Sequence, residues 1–453
     1  MLRRKITQYL EEWNSSDPDK AACLIGARQT GKTTSALEFG RNHFSQTILI
    51  NFITSPQAAS IFENDLDPDR ILSSITLFSS QSIIDGDTLL ILDEIQECPQ
   101  ARTAVKFLVQ NRRVRVIETG SMLGIHLEKV LSLPVGFEKY LNVYPLDFEE
   151  FLWGGGFGAE LTDQIRHSLK DENPLPEFVH QKLKELFLIY MVVGGMPEVC
   201  QRYFDTKAFD QVIDLQKNIM RAYEYDIVKY AEVKDKLRIQ EMFRSIPVQL
   251  NKQNLRFFLN TLAPKARYAS YEDSLNWIIR AGIGLPSFNL EAPQIPLELN
   301  EKRNIFRLFL LDTGLLCSCY EGVQLPLLQG DVSLNWGSLL ENAAAQALVS
   351  QDYELFYYNS KKLGEIDFVL NQNQSVHLLE MKSSSGYRKH YALDKISQVS
   401  GWKFGTSYVF CSDNVSRSGS VLYLPWYMIA FIREKSAQTQ EWPSFNFEGL
   451  QSV

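Results

Sequence analysis

A chain of 453 residues, 45% apolar and 22% charged, is too long for one ordinary core and is expected to fold as roughly two to four globular domains. Its net charge of −8 excludes a uniformly basic nucleic-acid coat and leaves room only for a local basic face. Its six scattered cysteines form no pair of CxxC units, and no run approaches the roughly 18 apolar residues of a membrane span, so a reducing, cytoplasmic location is expected, with no membrane partner.

In chain order, residues 5–14 read as a short amphipathic helix, followed by the polar turn 14–19. An apolar strand at 21–25, a Gly-rich loop and a helix from Lys32 come next. Further strands are expected at 48–52, 88–92 and 115–117, with helical patterns between them, which implies a parallel sheet covered on both faces and ending near residue 145. Residues 146–230 read as a helical lid, broken at Gly154-Gly155-Gly156 and Gly194-Gly195-Met196-Pro197. In 231–325, helices carry nine basic against five acidic residues up to position 280, and short strands at 283–290 and 305–311 follow. Helices followed by a β-hairpin predict a winged helix, with 269–280 as its candidate recognition helix; a protein-interaction or lid element is the alternative. A linker at 329–335 leads to a second α/β domain over 330–453, with a helix at 338–349, strands at 353–358, 365–370, 376–381, 407–411 and 420–424, and a polar helix near 388–400.

The loop Gly26-Ala27-Arg28-Gln29-Thr30-Gly31-Lys32-Thr33, continued by Thr34, has two glycines flanking four free positions and then Lys-Thr. Backbone N–H groups wrapping a β-phosphate need unhindered backbone at Gly26 and Gly31, Lys32 bridges β/γ oxygens, Thr33 ligates Mg²⁺, and the helix N-terminus favours the anion. An apolar strand ending in Asp93-Glu94 supplies the second half: Asp93 for the Mg²⁺ water shell and Glu94 to polarise an attacking water. Lys32, Asp93 and Glu94 are therefore the expected catalytic residues, ATP and Mg²⁺ the cofactors. Thr119 and Ser121, after the next strand, are candidate sensors of the γ-phosphate, with an ordinary helix cap as the alternative.

Near the C-terminus, Asp367 lies on one strand of a predicted hairpin and Glu380-Met381-Lys382 on the next, with Glu380 and Lys382 on one face. A helix upstream carries Glu341. Three carboxylates and a lysine match metal-assisted phosphodiester hydrolysis on a restriction-endonuclease-like fold, making Glu341, Asp367, Glu380 and Lys382 a candidate nuclease site. A salt-bridge cluster or an inactive core is the alternative.

With these residues in place, the chain resembles bacterial and archaeal AAA-type P-loop ATPases fused to the domain-of-unknown-function 4143 module. The resemblance runs through residues 26–34, Leu92-Asp93-Glu94-Ile95-Gln96, Tyr144-Pro145-Leu146-Asp147-Phe148-Glu149-Glu150-Phe151, 194–198, Leu311-Asp312-Thr313-Gly314-Leu315-Leu316, 364–368 and Glu380-Met381-Lys382-Ser383. It implies an AAA-type ATPase core over 1–145, a helical lid over 146–230, a winged-helix middle over 231–325 and a PD-(D/E)XK nuclease-like domain over 330–453. It also implies a lid motif over the nucleotide base at Gly195 and Pro197. Relatives carry Gly-Arg in the segment before Tyr144, a trans-acting arginine of oligomers; here Phe137 follows Gly136, which argues against a homo-oligomeric finger at that point. The expected function is Mg²⁺-dependent ATP hydrolysis coupled to a DNA-associated, stress- or defence-related C-terminal domain. The alternative is a nucleotide-gated signalling switch, self-associating with nucleotide, whose C-terminal fold docks protein and cuts nothing.

Overall fold

The first four residues of the first strand, 21–24, are all buried yet face alternately opposite ways, so that strand needs an apolar layer on each side. The computed structural model, which describes residues 2–63, 65–121, 136–252, 255–330, 336–384 and 386–433, supplies both layers. Helix α1 (Ile6–Ser16) precedes β1 (Ala21–Ile25); α2 (Lys32–His43), β2 (Gln46–Asn51), α3 (Pro68–Ser79), β3 (Thr88–Asp93), α4 (Pro99–Asn111), β4 (Arg115–Gly120) and β5 (Glu138–Asn142) follow. The five strands form one parallel sheet in the order β2-β3-β4-β1-β5. Ala21 and Cys23 pack with α3 and α4 on one face, while Ala22 and Leu24 pack with Ile6, Leu10 and Trp13 of α1 and Phe39 of α2 on the other. β5 is absent from the sequence expectation because only Leu141 of its five residues is buried; it is a charged edge strand whose register comes from β1.

Over the segment expected to be a helical lid, 146–230, four helices come first: α5 (Phe148–Gly154), α6 (Ala159–Asp171), α7 (Glu177–Val193) and α8 (Pro197–Thr206). The long α9 (Phe209–Tyr230), α10 (Lys236–Leu250) and α11 (Glu272–Arg280) lead into β6 (Gly284–Leu290), β7 (Glu301–Leu310), α12 (Thr313–Ser318) and α13 (Gln324–Leu328). Helix α14 (Gly337–Ser350), β8 (Phe356–Ser360), β9 (Gly364–Gln372), β10 (Ser375–Met381), α15 (Tyr391–Ile396), β11 (Ser407–Cys411), β12 (Ser416–Ser418) and β13 (Val421–Pro425) complete the described chain.

Here the structure corrects the expected wing at 231–325. The β6–β7 hairpin does not stand alone: β6 runs parallel to β8, with Phe288 opposite Phe356, and completes an eight-stranded sheet in the order β12-β13-β11-β10-β9-β8-β6-β7. The free edge of β6 and the apolar faces of Phe306, Leu308 and Leu310 are satisfied by joining the C-terminal sheet, so the expected division near residue 330 cuts through one sheet. Of the expected linker at 329–335, residues 331–335 lie outside those described.

Candidate functional site

The phosphate loop leaves β1 at its C-terminal end and enters α2 at Lys32. Gly26 has φ +149°, and a Cβ there would lie 2.3 Å from the Val143 carbonyl oxygen, so only glycine fits between the loop and the chain leaving β5. Gln29 and Gly31 also have positive φ, which turns successive N–H groups toward one concavity. The buried Lys32 ammonium donates to the carbonyls of Gly26 (3.0 Å) and Ala27 (2.7 Å). Burial pulls its pKa down to about 8, against the opposing pull of Glu94 and Asp93.

Sheet order places β4 between β1 and β3, so the end of β4 separates the loop from the acidic pair. Asp93 is thereby held from three sides. Thr33 Oγ1 donates to its Oδ1 at 2.9 Å, Thr119 donates to the same oxygen, and Asn51 Nδ2 donates to Oδ2 at 2.7 Å. Of the two candidate sensors, Thr119 thus bonds Asp93, whereas Ser121 donates instead to Glu94 Oε2 (3.2 Å), an oxygen that also accepts from Gln96 (2.5 Å). Glu94 has φ +53°, a left-handed conformation that costs a non-glycine residue about 1–2 kcal/mol and is held by these contacts. The donor set fits Mg²⁺: the Thr33 hydroxyl and the Asp93 carboxylate are neighbouring hard oxygens at the mouth of the phosphate loop. Asn51, 42 residues before Asp93, carried no motif and escaped the sequence reading.

Two other segments brace the loop. Arg4, buried, donates to the carbonyls of Thr30 (3.0 Å) and Tyr144 (2.6 Å) and to Glu150 (3.1 Å). Glu150 also closes a capping box with Asp147 at the start of α5, while Lys5 pairs with Asp147 and Glu149. The acidic run 147–150 is therefore the socket for the basic residues at 4 and 5. From the start of α8, Pro197 lies against the loop: a methyl on Gly31 would be 3.5 Å from its Cγ. This places the Gly195–Pro197 motif beside the phosphate loop. Gly195 itself packs on the segment before α5, since a Cβ on it would be 2.0 Å from the Leu146 carbonyl oxygen.

The Gly195 N–H donates to Asp312 Oδ2 (2.5 Å), and Asp312 caps α12 by accepting from Leu315 N (2.9 Å). Gln346 of α14 donates to the Tyr190 hydroxyl (3.0 Å) and to Asp312 (3.3 Å), and accepts from Thr313 N (2.8 Å). Asn342, one turn earlier, brackets the Leu310 backbone. A buried polar hub thus ties α7 and the turn after it to the helix that carries Glu341. Burial pushes Asp312 up to about 6 despite these donors. Because its folded pKa lies above the usual carboxylate value, the native state binds more protons between roughly pH 4 and 6, and stability falls as pH rises through that window. Asp312→Asn removes this titration. On going from pH 7 to pH 5 in urea unfolding, the wild-type chain is expected to gain about 1 kcal/mol over that variant; parallel changes in the two would refute the assignment.

Of the C-terminal candidates, Glu341 and Asp367 lie around a cation from elsewhere in the chain, while Glu380 and Lys382 pair with each other. Arg307 of β7, 1% exposed, pairs with Glu341 (3.0 Å) and Glu365, lies 3.9 Å from Asp367, and sits 4.4 Å from the Tyr357 ring centroid. Burial, then Asp367 beside it, push Glu341 well above the usual carboxylate range against the pull of Arg307. Asp367 accepts from Met381 N (2.8 Å), and Glu380 pairs with Lys382 at 2.6 Å. Burial alone would lower Lys382, but Glu380, Asp367 and Glu341 outweigh it and its pKa is raised. Among the described residues no group of three or more His, Cys, Asp or Glu side chains is arranged to hold a metal ion. With a guanidinium between Glu341, Glu365 and Asp367, this cluster does not fit a metal as it stands.

The candidate recognition helix, α11, buries Ser274, Leu275, Trp277 and Ile278, and its exposed positions Asp273, Asn276 and Arg280 carry no net positive charge. Its C-terminal end abuts the phosphate loop: a Cβ on Gly282 would be 3.1 Å from Ala27 N. Residues 133–135, which belong to the segment where relatives carry a trans-acting arginine, lie outside those described. No described helix is long and apolar enough to cross a membrane.

Residues 18–152 match the family described as an AAA domain, residues 184–324 a domain of unknown function (DUF8612), and residues 336–427 the domain of unknown function DUF4143. The Walker-type ATPase PABY2304 of Pyrococcus abyssi is similar at 15% identity, over 70% of this chain and 95% of that one, with a TM-score of 0.42. The Aeropyrum pernix ORC1 protein, solved in complex with DNA, is similar at 12% identity over 72% and 91%, TM-score 0.25. Cdc6p from Pyrobaculum aerophilum is similar at 12% identity over 72% and 92%, TM-score 0.25. No curated protein matches the chain. With a phosphate loop on a parallel sheet at one end and a β-rich unit at the other, the chain joins an N-terminal AAA-type P-loop ATPase domain to a C-terminal DUF4143 domain.

Proposed function

We propose that the chain binds and hydrolyses ATP with Mg²⁺ and passes the state of the nucleotide to its C-terminal domain. The observation that carries this is the shared environment of Asp93 and Glu94: Thr33, Asn51 and Thr119 orient the first, Ser121 and Gln96 the second, and Lys32 stands across from both. Thr33 and Asp93 would hold Mg²⁺, which would supply charge neutralisation to the phosphates. Glu94 accepts the proton of the attacking water as its oxygen bonds to the γ-phosphorus; the bond to the β-phosphate oxygen breaks, and ADP leaves with that electron pair. Lys32, lowered but still cationic near neutral pH, compensates charge on the departing oxygens. The route outward is Pro197 against Gly31, Gly195 on Asp312, and Gln346 on α14.

For the C-terminal domain, DNA association with or without cutting is one reading. The Arg307 cluster favours the other, in which the nuclease-like fold docks a partner and the chain acts as a nucleotide-gated switch. ATP turnover with and without single- and double-stranded DNA, with the same tubes scored for cleavage in Mg²⁺ and Mn²⁺, separates them. Lys32→Ala is expected to abolish turnover in every tube. DNA-stimulated turnover supports the DNA reading. Flat turnover, intact nucleic acid and nucleotide-dependent self-association in light scattering support the switch. Wild-type turnover no faster than Lys32→Ala would end the hydrolytic reading.

A further inference from the structure

Arg28 fills the second free position of the phosphate loop, and its side chain leaves the loop to be shared between Ser121, which holds Glu94, and a distant helix. On one side, Nε donates to the Ser121 hydroxyl at 3.3 Å, and Ser121 donates to Glu94. On the other, one terminal nitrogen pairs with Asp226 Oδ1 at 2.5 Å and the second donates to the Tyr230 hydroxyl at 2.9 Å, both on the last turn and a half of α9. The guanidinium lies 5.2 Å from the Tyr230 ring centroid. The Tyr223 hydroxyl, one turn back, donates to the Arg28 carbonyl at 2.9 Å, so α9 grips the loop by backbone and side chain together. The middle of the same helix reaches the lid: Gln216 donates to the carbonyls of Val192 (2.9 Å) and Val193 (2.8 Å), immediately before Gly194.

Phosphoryl transfer gathers charge on the oxygens of the departing and transferring groups, and a planar guanidinium answers it with paired donors. In this chain one such residue belongs to the cradle itself; its guanidinium is linked through Ser121 to the carboxylate that takes the water's proton, and is held by a carboxylate of another element. Resting on the hydrolytic reading above, we propose that Arg28 is a catalytic arginine supplied in cis, for which Asp226 on α9 and the γ-phosphate of ATP compete. Engagement by the phosphate releases Asp226 and Tyr230, frees the end of α9, and so makes the position of α9 the readout of ATP as against ADP. Oligomers that use an arginine from a neighbouring subunit couple hydrolysis to assembly; an arginine in the loop couples it to the middle region of the same chain.

The full-length chain tests this with ATP and ADP affinities by calorimetry in Mg²⁺ and with steady-state turnover. Arg28→Ala is expected to lower kcat about a hundredfold or more with KM within a few-fold, and to leave ADP affinity unchanged, which also certifies a folded site. Arg28→Lys, a point charge without the paired geometry, falls between. Asp226→Asn is expected to raise the ATP-over-ADP preference several-fold, and to lose that effect when combined with Arg28→Ala. The proposal is overturned if Arg28→Ala turns over like wild type, if Asp226→Asn shifts ATP and ADP alike, or if its effect persists without Arg28. Wild-type protein that turns over no ATP fails the hydrolytic reading and this one together; wild-type turnover with an inert Arg28→Ala substitution fails this one alone.

Discussion

Glu94→Gln is expected to lower steady-state ATP turnover about 10²–10⁴-fold while leaving ATP affinity within a few-fold of wild type. The amide keeps the shape of the side chain and one acceptor oxygen, so Ser121 or Gln96 retains a partner and the left-handed turn at Glu94 persists. What it loses is the capacity to take a proton from water, which acts only at the chemical step. Lys32→Ala, by contrast, removes charge from ground and transition states together and weakens binding as well. Calorimetric titration with ATP beside a phosphate-release assay distinguishes the two. A Glu94→Gln variant within tenfold of wild-type turnover would move the proton acceptor elsewhere and leave Glu94 a structural turn residue.

Arg307→Ala carries the largest expected loss of stability, about 3–5 kcal/mol. The guanidinium is buried, and three carboxylates depend on it: Glu341, Glu365 and Asp367. Removing it leaves acidic groups clustered in a low-dielectric site. Glu341, already pushed up by burial and by Asp367, is then expected to rise further and hold its proton. Urea unfolding at pH 7 measures the effect. Arg307→Ala combined with Glu341→Gln should recover part of the loss, because the pair shares one contact. A loss below about 1 kcal/mol, or strict additivity in the double variant, would mean that the carboxylates are neutral or balanced by another group, and the case against a metal there would lapse with it.

The contrast between these two sites shows what a sequence reading reaches. The phosphate loop was legible because wrapping a phosphate needs consecutive backbone N–H groups, and Gly26, Gly31, Lys32 and Thr33 are neighbours in the chain. Asp93 and Glu94 were legible because a buried strand that stops at two carboxylates is a local signal, and the order of the sheet then set Thr119 beside them. The C-terminal carboxylates were found by strand periodicity, but their meaning was not. Arg307 lies 34 residues before Glu341 and 60 before Asp367, on a hairpin whose alternation looked like a wing. Nothing local says that β6 pairs with β8 or that Arg307 points into the cluster. The same holds for Asp312, whose partner, the Gly195 N–H, lies 117 residues earlier in the chain.

By itself, then, the sequence determined the Gly-rich loop between the first strand and the helix after it, the acidic strand end, and the helix or strand character of most segments. These rest on interactions within a few residues or on a period of two or 3.6. The tertiary structure alone decided that the hairpin at 284–310 belongs to the C-terminal sheet, that Arg307 neutralises the carboxylate cluster, and that Asp312, Gln346 and α9 connect the phosphate loop to the rest of the chain. Each of those is a contact between groups tens to hundreds of residues apart, chosen by which buried polar groups find partners when the sheets and helices pack, and that choice leaves no periodic trace in the chain.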